Sequence, residues 1–123
     1  MSAPNTPPKY LYKILDVEPP VPLPDELPLS ELDANDGFIH LSVAEQIPST
    51  GGLFFDAHKT LWVLKLNFES LGTVKWEGSD DDGRAFPHLY GGFGAKEVVG
   101  VKIVERAGGE GWRGIFERDE WLE

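Results

Sequence analysis

The stretch LWVLKLNF, residues 61–68, decides the fold class of this chain. Trp62, Leu64 and Leu66 share one parity, and the residues between them share the other. A two-residue period rich in apolar side chains is typical of a β-strand. The pattern therefore predicts a strand over residues 61–68, and the other elements are placed around it.

Four further stretches have the composition of strands. Residues 9–17 (KYLYKILDV) are apolar on both parities, which predicts a strand buried on both faces and central in its sheet. Lys13 is the exception there, either a side chain that reaches an edge or a site residue. Residues 73–77 and 97–105 predict two more strands, and residues 37–41 predict a short one.

The helices are expected between Ser30 and His58. Ser30 is a suitable N-cap for a short helix over residues 30–35. One turn is predicted from Val43 to Ile47, where Pro48 interrupts the pattern. A second helix is predicted from Ser49 or Thr50 to His58, with either hydroxyl as its cap and with the His58 imidazole complementing the helix dipole at its end.

Two segments are predicted to lack helices and strands. Residues 18–28 hold five of the ten prolines, so we expect an extended loop that wraps the surface, anchored by Val21, Leu23 and Leu27. Residues 80–83 (DDDG) resemble a calcium loop in composition only, and a solvated turn is the better interpretation.

These elements predict a single α+β domain with a curved, mostly antiparallel sheet and few short helices. Residues 1–8 are predicted to form a disordered tail, and residues 9–106 the core. Residues 107–123 are predicted to be an extension packed on that core, with a strand or turn over residues 112–116 followed by a short helix or docked segment.

Composition excludes several classes of function. The chain has 123 residues, no cysteine and a formal net charge of −10. Disulfides, thiolate nucleophiles and Cys-based zinc sites are therefore excluded, and nucleic acids and anionic membranes are not expected partners. No run approaches the roughly 20 apolar residues of a membrane span. Residues 1–8 lack the features of a secretory signal, so we expect a cytoplasmic protein.

Two segments are predicted to line one site. They are DGFIHLS at residues 36–42 and FPHLYG at residues 86–91. Each places a His in a strand-like run beside aromatic residues and a Gly. Phe38, His40 and Ser42 share one strand face. The i, i+2 spacing of His40 and Ser42 does not suit a nucleophile and its base, so Ser42 is expected to bind a ligand or cap the following turn.

Other residues could complete this site. Glu77 beside Trp76 could have a raised pKa and act as a general acid or base, or be a strand-end carboxylate in water. Tyr90 offers a ring for stacking and a hydroxyl, and Arg84 is the candidate for an anionic group. No metal is predicted, because the His and acidic residues lack the close spacing of metal-binding motifs.

The order of these motifs resembles the family known as domain of unknown function 952, over about residues 9–105. The resemblance is carried by residues 12–14 (YKI), 36–42 (DGFIHLS) and 86–91 (FPHLYG), together with Gln46, Thr50, Phe54, Trp76 and Glu77. The family is grouped with ADP-ribosyltransferase-like proteins, which bind NAD in a cleft between two sheets.

The resemblance implies roles for individual residues. His40 resembles the strand His that holds a ribose hydroxyl of NAD, and Tyr90 resembles the aromatic residue that stacks on nicotinamide. Such transferases use a late Glu, for which Glu97, Glu105 and Glu117 are candidates without a matching motif.

Three hypotheses follow, all with a small-molecule ligand and no certain cofactor. The first is an enzyme-like domain that binds NAD, as a possible substrate, or another ADP-ribose-containing ligand. The second is a cofactor-independent acid/base enzyme using His40, His88 and Glu77, and the third is a non-catalytic binding module. The candidate catalytic residues are His40, Glu77, His88 and Tyr90, and the candidate substrate-binding residues are Lys13, Phe38, Ser42, Gln46, Trp76 and Arg84.

Overall fold

The structure is a computed structural model that describes residues 4–123. Part of the predicted tail, residues 1–3, lies outside the described residues, and residues 4–8 have no helix or strand. The main elements in chain order are β1 (Tyr10–Leu15), α1 (Glu31–Asp36), β2 (Ile39–His40), α2 (Ile47–Phe54), β3 (Thr60–Asn67), β4 (Thr73–Glu77), β5 (Phe86–Tyr90), β6 (Val98–Glu105) and α3 (Trp112–Glu117).

In the described part of the chain, six strands form two antiparallel sheets. The first sheet has the order β1-β3-β6, and the second has the order β2-β5-β4. Tyr12 of β1 and Ser42, just after β2, exchange two backbone hydrogen bonds of 2.8 and 2.9 Å that join the sheets at one corner. The prediction of a small α+β domain with antiparallel sheets and few helices is confirmed.

Two apolar layers enclose the first sheet. One lies between the sheets, where Leu11, Leu64 and Leu66 meet Ile39, Leu41 and Leu89. The other lies between the first sheet and the helices α2 and α3, where Tyr12, Val63 and Val104 meet Ile47, Trp112 and Phe116. The molecule therefore has three layers, with the first sheet in the middle and the second sheet on one outside.

β1 differs in part from its prediction. Its residues from Leu11 to Ile14 are buried on both faces, as predicted, because one face meets the second sheet and the other meets the helices. The strand is nevertheless at an end of the first sheet and not at its centre, a position taken by β3. The bridge to Ser42 covers part of its outer edge, and the burial of both faces explains how a terminal strand resembles a central one in sequence.

The helical region also differs from its prediction. α1 is capped as predicted, since the Ser30 hydroxyl accepts a hydrogen bond from the Asp33 amide. Pro48 does not interrupt α2 but lies in its first turn, where no intrahelical N–H donor is required. The predicted hydroxyl cap at Ser49 or Thr50 is therefore wrong, and because α2 ends at Phe54 the dipole role predicted for His58 is wrong too.

The segment over residues 18–28 has no helix or strand, as predicted. Leu27 is an anchor, being 8% exposed, and its amide donates to the Phe93 carbonyl at 2.8 Å. Leu23 packs partly against the core between the sheets. Val21 is 84% exposed, so its predicted role as an anchor is wrong.

The contact between this segment and Gly94 leaves no room for a side chain. A Cβ atom on Gly94 would overlap the Asp25 carbonyl group, which is backbone and cannot rotate away. Gly94→Ala is expected to lower the free energy of unfolding by about 1–3 kcal/mol, the usual range for overpacking. Urea unfolding measures this, with Gly72→Ala as the matched control, because nothing lies within 4 Å of a Cβ there. Equal midpoints for the two variants would contradict the prediction.

The C-terminal segment is helical where a strand or turn was predicted. Trp112, Ile115 and Phe116 have the i, i+3, i+4 spacing of an amphipathic helix, and α3 buries Trp112 and Phe116 fully or nearly so against the first sheet and α2. Across residues 4–123, none of the helices is long and apolar enough to cross a membrane.

Candidate functional site

The two predicted site segments meet on the outer surface of the second sheet. His40 of β2, His88 of β5 and Lys75 of β4 lie directly opposite one another in register. Side chains alternate along a strand, so the neighbouring Ile39 and Leu89 point inward to the core. We call the opposite surface the outer face, and its polar and aromatic residues are Phe38, His40, Lys75, Glu77, His88 and Tyr90.

Glu77 joins two of these residues. One oxygen, Oε1, accepts a hydrogen bond from the Tyr90 hydroxyl at 2.7 Å and lies 2.9 Å from His88 Nδ1. The second contact is a hydrogen bond when Nδ1 carries the proton, and this tautomer leaves Nε2 as an acceptor. Within residues 4–123, Nε2 of His88 has no hydrogen-bonding partner.

The hydrogen bonds at Glu77 also set its ionisation. The Tyr90 hydroxyl, and then the His88 ring, lower the pKa of Glu77 below its usual 4.5. The same bond raises the pKa of Tyr90, because losing the phenolic proton would place two negative charges together. Glu77 is therefore a carboxylate at neutral pH that orients His88. A raised pKa, one of the alternatives considered for Glu77, is contradicted.

Aromatic packing holds the His88 ring in place. Phe38 stacks on it with a centroid distance of 4.0 Å and an interplanar angle of 20°. The rings of His40 and His88 lie edge to face, with centroids 5.4 Å apart. As a result the His88 side chain is only 12% exposed, whereas that of His40 is 32% exposed. The two imidazoles form one compact cluster with different access to solvent.

His40 has its own carboxylate partner, Asp33 of α1. Asp33 Oδ1 lies 2.7 Å from His40 Nδ1 and accepts the His40 amide at 3.1 Å. The other oxygen, Oδ2, accepts a hydrogen bond of 2.7 Å from Lys13 Nζ, which also donates to the His40 carbonyl. Asp36 Oδ2 lies 3.0 Å from the Nε2 atom of His40. His40 is thus fixed by a network that connects β1, α1 and β2.

The Lys13–Asp33 pair is buried, with exposed fractions of 8% and 2%. Burial alone would raise the pKa of Asp33, but the hydrogen bond and charge of Lys13, followed by the bonds from His40, outweigh it and lower the pKa below 3.8. Asp33 is therefore ionised at neutral pH. Lys13 contacts the site only through Asp33 and the His40 carbonyl, and its side chain does not reach the outer face.

Three other predicted site residues, Trp76, Ser42 and Arg84, also lie away from the outer face. Trp76 neighbours Glu77 in β4, so it points to the opposite side and packs against the core and Phe68. Ser42 is buried at the corner between the sheets. Arg84 lies within 4 Å of carboxylates of Glu45, Asp80 and Asp82 and is not free to hold an anion at the histidines.

Gln46 has a structural role. It is 2% exposed, accepts the Val43 amide, and donates to Asp80 Oδ2 and the Ala85 carbonyl at 3.0 Å each. Asp80 in turn accepts the amides of Asp82 and Arg84, which builds the predicted turn. Gln46 therefore holds the loop between β4 and β5, the strands that carry Glu77 and His88.

Two features of the resemblance have no counterpart here. The space between the two sheets is filled by apolar side chains, so the described residues 4–123 leave no ligand cleft between them. Glu105 is on β6 and Glu117 is on α3, so the core separates both residues from the histidines. Glu97 accepts a hydrogen bond from the Gly94 amide. Among residues 4–123, no group of three or more His, Cys, Asp or Glu side chains has metal-binding geometry.

Sequence reasoning missed Asp33 and Lys75, whereas Asp36 lies within the predicted segment 36–42. Lys13 gave the signal for Asp33, because a lysine in a buried strand needs a carboxylate partner. The chain has 21 acidic residues, however, and nothing in the pattern selects one of them. Lys75 follows from strand register, since it lies opposite His88, with its Nζ 4.6 Å from the centre of the Tyr90 ring.

The fold and the site together define a small two-sheet α+β protein with a histidine cluster on its outer face. Residues 24–101 match the family described as "Protein of unknown function (DUF952)". The chain belongs to this family, over a shorter range than the predicted residues 9–105, and β1 and α3 lie outside the match.

Solved structures agree with this assignment. The crystal structure of protein CC0527 from Caulobacter crescentus is 31% identical, with a TM-score of 0.62, over 76% of this chain and 84% of that chain. The solution NMR structure of CC0527 is 31% identical with a TM-score of 0.58, over 76% and 83%. No curated protein matches the chain.

Proposed function

We propose that the chain is an enzyme that performs general acid/base catalysis on a small organic molecule at the outer face, as an isomerase, lyase or hydrolase does. The observation that supports this most directly is the orientation of His88. Its Nδ1 is held by Glu77, its ring is stacked by Phe38, and its Nε2 is unpaired within residues 4–123. An imidazole held in one tautomer by a carboxylate is a suitable general base near neutral pH.

The remaining residues have distinct roles in this proposal. His88 Nε2 takes a proton from the substrate, and the Glu77 carboxylate stabilises the charged ring that results. Tyr90 keeps Glu77 in position and ionised. His40, whose ring centroid is 5.4 Å from that of His88, gives the second proton from Nε2 when the substrate displaces the exposed Asp36 carboxylate from that atom, and Asp33 at Nδ1 positions the ring. Acid and base then act on neighbouring atoms of one small substrate.

NAD or another ADP-ribose-containing molecule is the second candidate ligand. The cluster of Phe38, His40, His88 and Tyr90 rings, with centroids 4.0–5.4 Å apart, offers aromatic surface on which a flat base could stack. The resemblance noted above assigns the ribose contact to His40 and the nicotinamide contact to Tyr90. Such a ligand would have to lie on the outer face, because the space between the sheets is filled.

The acid/base proposal predicts a specific loss in a His88→Gln variant. The protein is incubated in D2O with small carbonyl compounds, esters and lactones, and proton NMR follows both hydrolysis and deuterium entry at carbon. We expect turnover of at least one compound, and His88→Gln is expected to lower its rate by about 10²–10⁴-fold, the usual contribution of a general base. His58→Gln is the matched control, since His58 lies beside Asp16 and away from the outer face.

Two results would count against this function. Turnover at the natural rate in His88→Gln would show that His88 takes no part in the reaction. A panel without turnover, combined with saturable amide shifts at residues 37–46 and 86–94 on addition of NAD or ADP-ribose, would favour the ADP-ribose candidate. Amide spectra of each variant show whether it is folded, which separates a lost base from a lost structure.

A further inference from the structure

One edge of the first sheet is open. β3 pairs with β6, and within residues 4–123 no strand pairs with the other side of β6. Between Val99 and Val104 the only backbone partners in the described chain are those of β3. An unpaired strand edge presents a row of N–H and C=O groups that can pair with another strand.

The same edge exposes apolar side chains. Val99, Val101 and Ile103 are 53%, 45% and 55% exposed. Ile103 lies opposite Trp62 of β3 and Val101 opposite Leu64, so both belong to the face of the first sheet that looks toward the second sheet. These residues lie beyond the area that the second sheet covers, and they form an apolar row along the open edge.

Lys102 does not protect this edge. A lysine on an edge strand usually opposes pairing by placing a solvated charge there. Here Lys102 Nζ is bound by both carboxylate oxygens of Asp119, at 2.8 and 2.9 Å, on the face covered by the C-terminal segment. Its charge is therefore neutralised within the chain and directed away from the apolar row.

The charge of this segment favours a second copy of the chain as the occupant. Residues 96–106 contain three basic and two acidic residues, whereas the whole chain has a net charge of −10. Because Lys102 and Arg106 are paired with Asp119 and Asp56, the surface around β6 is close to neutral, so two copies that approach through it repel each other less than through the more acidic surfaces. A partner of strongly opposite charge has no particular match at this edge.

We propose that two copies pair antiparallel through β6, with a two-fold axis at Val101, to form one six-stranded sheet. A two-fold axis places each residue opposite a symmetry-related one. In this register Val101 meets Val101 of the second copy and Lys102 meets Gly100, while Val99, the extra residue where the β3–β6 register shifts, lies nearest Ile103. A shift of one residue would place Lys102 opposite its own copy and Val99 opposite Glu105, so all three exposed apolar residues face one another only with the axis at Val101.

Cysteine cross-linking tests both the dimer and its register, because the natural chain has no cysteine. In Val101→Cys the two thiols are directly opposite, within the Cα separation of about 4.4–6.8 Å that a disulfide requires. We expect mild oxidation to yield a disulfide-linked dimer. The matched control is Val99→Cys, whose two copies lie four residues apart along the strands, too far to bond.

Sedimentation of the natural chain from micromolar to millimolar concentration supplies the second measurement. We expect a concentration-dependent monomer–dimer equilibrium that Val101→Lys weakens about tenfold or more, because like charges then face each other. Leu32→Lys, at an exposed leucine on α1, should leave the equilibrium unchanged. A chain that stays monomeric at millimolar concentration, or equal cross-linking of both cysteine variants, would overturn the proposal.

Discussion

Asp33→Ala is expected to lower the free energy of unfolding by about 3–5 kcal/mol, the usual cost of leaving a buried charge without its partner. Lys13, which is 8% exposed, would lose the carboxylate at 2.7 Å from its Nζ. His40 would lose the acceptor of both its amide and its ring Nδ1. For a domain of this size such a loss is a large part of a total near 5–15 kcal/mol. Chemical denaturation measures it.

The matched control for this prediction is Asp36→Ala. Asp36 is on the same helix and its carboxylate is 3.0 Å from His40 Nε2, but it is exposed. We expect its loss to change stability by no more than about 0.5 kcal/mol. Replacing both buried partners, in Lys13→Met with Asp33→Leu, should recover most of the stability, because no charge is left unpaired. Equal losses of unfolding free energy in Asp33→Ala and Asp36→Ala would show that the buried pair contributes no more to stability than the exposed Asp36 does.

The same pair gives a pH dependence with a defined sign. Although burial acts in the opposite direction, the pKa of Asp33 in the folded chain is below 3.8, owing to Lys13 and His40. The pair therefore stabilises the fold fully above about pH 3.8, and this contribution is lost as the pH falls through the lower, folded-state pKa. The stability of the natural chain relative to the Lys13→Met, Asp33→Leu double variant should therefore fall as the pH is lowered across that range.

The strands were predictable because their alternation is local. Residues 61–68 and 73–77 differ from β3 and β4 by at most one residue at an end. The errors at α2 and α3 have a different origin. Pro48 ends a helix in its interior but is tolerated in its first turn, and only the position of the helix start distinguishes these cases. The aromatic residues of α3 indicated burial correctly, but their helical period was not recognised.

The candidate site was predictable in its segments and not in its connections. Phe38, His40, His88 and Tyr90 do share one face, as strand parity requires. The same parity rules out a joint role for Trp76 and Glu77, since neighbours in a strand point to opposite faces. Asp33 and Lys13 are 20 residues apart in the chain, and their contact joins the helix α1 to β1 of the first sheet. Such contacts depend on how elements pack, which no local pattern contains.

Trp112→Ala is expected to lower the free energy of unfolding by about 3–5 kcal/mol, the usual cost of removing a buried aromatic ring. Trp112 is fully buried between the first sheet and α2. Its Nε1 donates to the carbonyls of Phe55 at 2.9 Å and His58 at 3.1 Å, which hold the loop between α2 and β3. Urea unfolding measures the change, with Arg113→Ala at the exposed neighbouring position as the control.

A second substitution at the same position separates the two contributions of the indole. Trp112→Phe keeps most of the ring and loses the donor, so we expect a smaller loss, about 1–3 kcal/mol, from the unsatisfied carbonyls. α2 is packed so closely on α3 that a Cβ on Gly51 would lie 2.9 Å from the Phe116 ring. Residues 112–117 are therefore expected to unfold together with the sheets in a single transition. If Trp112→Ala unfolds at the same urea concentration as Arg113→Ala, residues 112–117 contribute little to the stability of the fold, and the stabilising core lies within the family match, residues 24–101.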